Sequence, residues 1–432
     1  MAERNLDFDT VHNRRGTDSL KYDFAAARGY KEDVLPLWVA DMDFKTTSYI
    51  QDALQLQAEH GIYGYTETAK DYYEAVAGWM KRHHDWDISG YKIIKTPGVV
   101  PAIGAAINAF TEKGDAVLIQ QPVYYCFNEV IELSGRRVVS NDLILKRQTN
   151  GDYGDDDHND KEGDGSQDYR YEDNFGSGRY VIDFEDFERK IIEEKVKLFL
   201  LCNPHNPGGR VWTSDELKNI ARICKKHNVV VFSDEIHEDI VYSGHKHTVF
   251  ATVSEEAEDI TLTATSPGKT FNISGLQIGN IIIKNRKLAT EFKRSVNGIM
   301  GYSQANAPGI TACRAAYLYG DEWYEAMLSY VEDNLNYLIE FLKTELPEVK
   351  LIIPEATYLV FLDLRGLGLS SEARRELIVD KAKLWLDSGE IFGKLGSGFE
   401  RINIACPRVT LEKALTSLRD AIKINFKVIK SV

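Results

Sequence analysis

The chain has 432 residues, 43% hydrophobic and 11% aromatic, with a formal net charge of −14, enough apolar material for a large core shared by more than one domain. The acidic balance argues against a nucleic-acid partner, because phosphate contacts need a basic surface. No apolar run approaches the roughly 20 residues of a membrane span.

The opening "MAERNLDFDTVHNRRG" lacks a signal peptide's apolar stretch, so a cytoplasmic protein is expected. Residues 1–46, ending near "LPLWVADMDF", are assigned to a smaller domain. From about residue 90, apolar β-branched runs alternate with helical patterns: "YKIIKT", "PAIGAAINAFTEKG", "DAVLIQ", "YYCFNEVIELSG", "VKLFLLCN", "SDELKNIARICKKHN", "VVVFSDE". Unalternating apolar strands joined by helices predict a sheet covered on both faces, so residues 47–315 are read as a large, doubly wound, mostly parallel α/β domain. Residues 316–432 carry long amphipathic helices, a strand pair in "VKLIIPEATYLVFLDLR" and a final "ERINIACPR" before a closing helix, the pattern of a smaller α+β domain. Inside the larger domain, 150–179 stands apart: Gly151 to Arg179 holds ten acidic and three basic side chains and few aliphatics, and reads as a surface insertion. Five cysteines (126, 202, 224, 313, 406), odd in number and without C-x-x-C spacing, are expected as buried thiols, with neither disulfide nor metal site.

Sheets of this kind place ligand-binding residues at the carboxyl ends of their strands. "LLCNPHNPGGR" delivers Asn206, "VVVFSDEIHEDIV" delivers Asp234 and His237, and "DITLTATSPGK" delivers Ser266 and Lys269. "YKIIKTPGVVPAI" delivers Val99 and Val100 to the start of a helix whose first residue is expected at Pro101. Singly, each is an ordinary cap, turn or solvated charge. Together they supply a Schiff-base lysine, a carboxylate to hold a pyridine nitrogen protonated, a donor for a phenolate oxygen, and amides with a hydroxyl for phosphate, which is the requirement of pyridoxal phosphate.

The motifs "LPLWVADMDF", "IYGYTE", "NPHNPGGRVWT", "SDEIHEDIV", "KTFNISGL" and "RINIACPR" make the chain resemble fold-type I, class I/II aminotransferase-like pyridoxal-phosphate enzymes, within them the MalY/PatB group of cystathionine β-lyases, over nearly its whole length apart from the insertion. The resemblance implies Lys269 as Schiff-base lysine and Cα base, Asp234 on the ring nitrogen, and Asn206 and His237 near the ring oxygen. It implies Tyr124 stacked on the ring and Val99, Val100 and Ser266 at the phosphate. Tyr65 would reach the phosphate of a neighbouring subunit in a homodimer, and Arg401 would hold the substrate α-carboxylate. Ala40, Tyr358 and the loop "FGKLGSGFE" are expected as pocket walls. The position eight after the lysine, an arginine in many aminotransferases, is Gln277, which weakens a plain aminotransferase reading. The expected reaction is β-elimination from L-cystathionine or a related cysteine S-conjugate. Amino transfer is the alternative, and a regulatory protein contact through the acidic insertion is a second one.

Overall fold

A computed structural model describes residues 6–146, 176–301 and 305–430, with the side chains of 426–430 excepted. The principal sheet comprises β1 (Lys92–Thr96), β2 (Ala116–Ile119), β3 (Arg137–Ser140), β4 (Leu198–Cys202), β5 (Val230–Asp234), β6 (Thr261–Thr265) and β7 (Gly279–Ile283). Its seven strands lie in the order β1-β7-β6-β5-β4-β2-β3, and β7 alone runs against its neighbours.

The lack of alternation in these strands follows from burial on both faces. Leu118, Phe199, Leu201 and Val231 pack under Trp212 and the helix Ser214–Lys226. Val117, Leu198, Leu200, Phe232 and Leu262 pack on the other side under the helices Val99–Phe110 and Arg286–Met300. Each fully buried Leu, Val or Phe contributes about 1.5–3 kcal/mol relative to an exposed one, so both faces hold the sheet rigid behind its carboxyl edge. The fold is therefore the mixed, mostly parallel α/β sheet that the sequence pattern predicts.

A second sheet comprises β8 (Lys350–Ile352), β9 (Leu359–Asp363), β10 (Asp387–Ser388) and β11 (Phe399–Asn403), all antiparallel, in the order β8-β9-β11-β10. The N-terminal segment lies against this part: Leu35–Pro36 pairs with Leu384–Trp385 in a parallel ladder, and Leu37 and Met42 share a core with Leu359, Val360 and Ile402.

Three local expectations change. The helix over 99–110 starts at Val99, two residues before Pro101, because Gly98 takes φ 114° as its cap and turns the chain early; an L side chain is strained there. Four cysteines are buried, but Cys126 is only half-buried. Most of the acidic stretch lies outside the described residues, yet its last four belong to the fold: Gly176 bridges Leu351, Ser177 Oγ donates to Asp363 at 2.7 Å and Arg179 pairs with Glu355 at 2.7 Å.

Candidate active site

The carboxyl edge of the principal sheet gathers the polar groups. Beyond β1, the helix Val99–Phe110 points its first turn, with Val99 and Val100, at this edge; its unpaired amides and dipole favour an anion. Beyond β6, Ser266 caps a single turn, Pro267–Thr270, that carries Lys269. The Ser266 hydroxyl is already engaged, accepting from Gly268 N at 3.0 Å and donating to Ile278 O at 2.6 Å.

Lys269 Nζ donates to Ala40 O at 2.6 Å, and the buried Tyr358 hydroxyl donates to the same oxygen at 3.2 Å. Desolvation lowers the lysine's pKa to about 8, against the opposing pull of Asp41. At the end of β5, Asp234 is buried with its carboxylate accepting from Ile236 N at 3.2 Å. Burial raises it to about 7, and the Lys269 charge works in the other direction. His237 is buried beside Tyr358, ring centroids 5.9 Å apart, and burial drives its pKa down to about 3, so the imidazole is neutral.

Arg401, on β11, is the most contacted of these groups. Its Nη1 donates to Asn206 Oδ1 at 3.1 Å, and its Nη2 donates to Trp38 O at 3.0 Å and to Asp387 Oδ2. The guanidinium carbon stands 4.7 Å from the Phe392 ring centroid. Asn206 spends its carbonyl on this arginine and its backbone N–H on Cys202 Sγ at 3.3 Å. Tyr124 is half-buried against Tyr125 and Phe127, and burial raises its phenol pKa well above the ordinary value. Mutual electrostatic effects join Lys269 with Asp234, Asp41 and Arg401, and Tyr124 with Arg401. Tyr65 is fully exposed, in a run from 61 to 67 exposed throughout.

Pattern reading missed the groups that hold these residues. Asn403 Nδ2 donates to Val39 O and Asp41 O at 2.7 and 2.6 Å. Asn272 Nδ2 donates to Met42 O and Phe44 O at 2.9 and 2.8 Å. Both acids of "ADMD" are also tied down: Arg14 pairs with Asp41 and Asp43, and the fully buried Lys21 pairs with Asp43 at 2.9 Å. The loop carrying Ala40 is therefore fixed from four directions. Missed too was the split within "SDEIHED": Asp234 and His237 accompany Lys269, whereas Glu235 binds His247 at 2.8 Å and Asp239 binds His84 at 2.8 Å, Trp79 Nε1 at 3.0 Å and Thr270 Oγ1 at 2.5 Å. The last contact anchors the residue next to Lys269. Asp387 carried no sequence signal, because it meets Arg401 only through the β10–β11 register.

The family model "aminotransferase class I and II" matches residues 32–149 and 163–418. Cystathionine β-lyase PatB of Bacillus subtilis is 40% identical over 96% of this chain and 100% of its own length. Protein MalY of Escherichia coli is 32% identical over 97% and 99% respectively. Cystalysin from Treponema denticola, a structure containing pyridoxal 5′-phosphate, superposes with a TM-score of 0.85 at 35% identity, over 96% of this chain and 98% of its own.

Proposed function

This chain belongs to the aminotransferase class I and II family, and we propose that it is a pyridoxal-phosphate-dependent carbon–sulfur β-lyase, splitting L-cystathionine or a related cysteine S-conjugate into a thiol, pyruvate and ammonia. The observation that carries this reading is a desolvated lysine, Nζ on Ala40 O at 2.6 Å, with its pKa lowered to about 8 and the charges of Arg401 and Asp234 acting on it, in a chain 40% identical to a cystathionine β-lyase.

The residues fit the cofactor. Asp234 is a buried carboxylate accepting from a backbone N–H, suited to a cationic ring nitrogen. His237 Nδ1 and Arg401 Nε are buried polar atoms without partners among the described residues. Val99 and Val100 begin a helix whose first-turn amides suit a phosphate. Ser266 joins them by rotating its hydroxyl off Ile278 O. When bound, the cofactor supplies an electron sink that allows a Cα proton to leave and a β-substituent to depart.

The chain's own residues do the rest. Lys269, with a substantial neutral fraction near pH 8, accepts the Cα proton at Nζ, and Ala40 O aims it. Asn206, its carbonyl committed to Arg401, turns its amide N–H toward a ring oxygen. His237, neutral, adds no charge there. Arg401 binds the α-carboxylate. Tyr124 covers one ring face. Tyr358 and Ala40 line the pocket, and Tyr65, exposed on its own chain, serves the site of a second copy in a homodimer. Residues 47–315 are assigned to the cofactor-binding part, and 1–46 with 316–432 to the smaller part. A cytoplasmic location goes with this reading; no helix among the described residues is long and apolar enough to cross a membrane.

Incubation of purified protein with L-cystathionine, assayed for pyruvate, tests the reaction. Stoichiometric pyruvate and thiol are expected. Efficient amino transfer to a 2-oxo acid without pyruvate overturns elimination in favour of the second reading, which needs the same Cα proton loss.

A further inference from the structure

Arg401 has five N–H donors, and their disposition bears on how a substrate reaches it. Nη2 has two hydrogens and two acceptors, Trp38 O at 3.0 Å and Asp387 Oδ2. Nη1 gives one hydrogen to Asn206 at 3.1 Å. Nε is buried and has no partner among the described residues. A carboxylate grips a guanidinium with two prongs either end-on, through Nη1 and Nη2, or side-on, through Nε and Nη2. Both modes need Nη2. The Trp38 acceptor is a backbone carbonyl from a segment stitched to the second sheet, where Leu37 O accepts from Asn403 N at 2.8 Å. The Asp387 acceptor is a side chain and can rotate.

The Asp387–Arg401 contact is built into the sheet. The two residues are directly opposed across β10 and β11, so their side chains leave on one face. Both are nine-tenths buried or more. A second carboxylate arriving at this guanidinium meets a like charge in a desolvated place, an arrangement that raises the energy of both.

We propose, resting on the lyase reading above, that Asp387 is a positioning and specificity-determining residue: it occupies Arg401 as an internal stand-in for the substrate α-carboxylate, and amino-acid substrates bind by displacing it. Ligands with an α-carboxylate can exchange for Asp387. Amines without one leave the pair closed and gain nothing from Arg401. Substrate affinity is thereby set below what an unoccupied arginine gives, and the effect falls on binding because Asp387 acts through Arg401.

The test uses the cofactor-loaded enzyme and two probes that cannot lose a Cα proton productively: 2-aminoisobutyrate, which has an α-carboxylate but no Cα hydrogen, and isopropylamine, which has no carboxylate. Binding is followed by the shift of the visible absorbance band. Asp387→Asn keeps the shape and removes the competing charge, so its Kd for 2-aminoisobutyrate is expected to fall by about tenfold, with the Kd for isopropylamine unchanged. KM for L-cystathionine falls in parallel and kcat stays within about twofold, as for loss of an effect on ground and transition state alike. An equal or weaker Kd for 2-aminoisobutyrate in folded Asp387→Asn overturns the proposal. Wild-type enzyme with no visible band overturns instead the cofactor reading beneath it. A crystal structure of wild-type enzyme with 2-aminoisobutyrate decides independently of any variant: Asp387 Oδ2 withdrawn from Nη2 supports displacement, and an intact pair beside a two-pronged ligand overturns it.

Discussion

Lys269 Nζ and the carbonyl of Ala40, 229 positions apart in sequence, meet at 2.6 Å. That oxygen sits in a loop whose shape is set by Asn403, which donates to the carbonyls on either side, Val39 and Asp41. The position of the reactive amine therefore depends on an asparagine that acts on it through the Ala40 loop. Asn403→Ala takes the Asn403 donor from Val39 O and leaves Asp41 O only the longer contact from Lys21 Nζ at 3.3 Å. A partly buried group left unsatisfied costs about 1–3 kcal/mol, and a loss of about 2 kcal/mol is expected in a urea titration, read as a lower midpoint with unchanged slope. Activity falls as well, because the loop no longer aims the lysine.

Lys269→Ala removes the proposed base and the anchor together. Pyruvate production is expected to drop by roughly a hundred- to ten-thousandfold, and the visible absorbance of the loaded protein to disappear. A variant that retained the band would assign the anchor to another amine. Far-ultraviolet circular dichroism serves as the control for folding, since Lys269 occupies a one-turn helix held by Ser266 and by the Thr270–Asp239 contact rather than by its own side chain.

These two residues mark what the sequence made legible. Lys269, Asp234, Asn206 and Val99 lie where strands end, and a strand end is visible as an apolar β-branched run stopped by Pro, Gly or a polar cluster; reading those ends was enough to list the groups that the sheet gathers. Asn403 and Asp387 act through tertiary register. Asp387 faces Arg401 because β10 pairs with β11 one residue row at a time, and nothing in "WLDSGE" announces that pairing. The acids of "WVADMDF" were visible but their work was not: Asp43 serves a fully buried lysine 22 residues earlier. Tyr65, exposed throughout its run, shows the remaining limit, since its proposed role in a second copy rests on the resemblance and not on the packing of one chain.

The lysine also makes a pH prediction. Its pKa is lowered to about 8, chiefly by desolvation, and the neutral amine is the nucleophile. Uptake of pyridoxal phosphate by cofactor-free protein, followed by stopped-flow absorbance, is therefore expected to speed up by about tenfold per pH unit below 8 and to level off above it. Asp41 opposes the lowering. Asp41→Asn should accordingly move the midpoint to lower pH, whereas an upward move would show that the Asp41 charge does not favour the protonated lysine.

The acidic insertion yields the last prediction. Chain segments on either side of it are antiparallel neighbours: Lys146 pairs with Arg179 and Ile144 with Val181. Two antiparallel strands paired in this way can be joined by a short turn without moving either strand. Gly176 and Ser177 must stay, because Ser177 N donates to Leu351 O at 2.9 Å and its hydroxyl holds Asp363. Replacing residues 150–175 by a four-residue Gly/Asn turn is expected to leave kcat/KM for L-cystathionine within about twofold. Each halving of a loop's length lowers its closure entropy by about 0.6 kcal/mol, so stability should rise by about 1–2 kcal/mol in the same urea titration. Extending the deletion through Gly178 removes the Leu351 and Asp363 contacts and should reverse that gain. If the shorter deletion instead abolished activity with the fold intact, the insertion would have to contribute directly to the site.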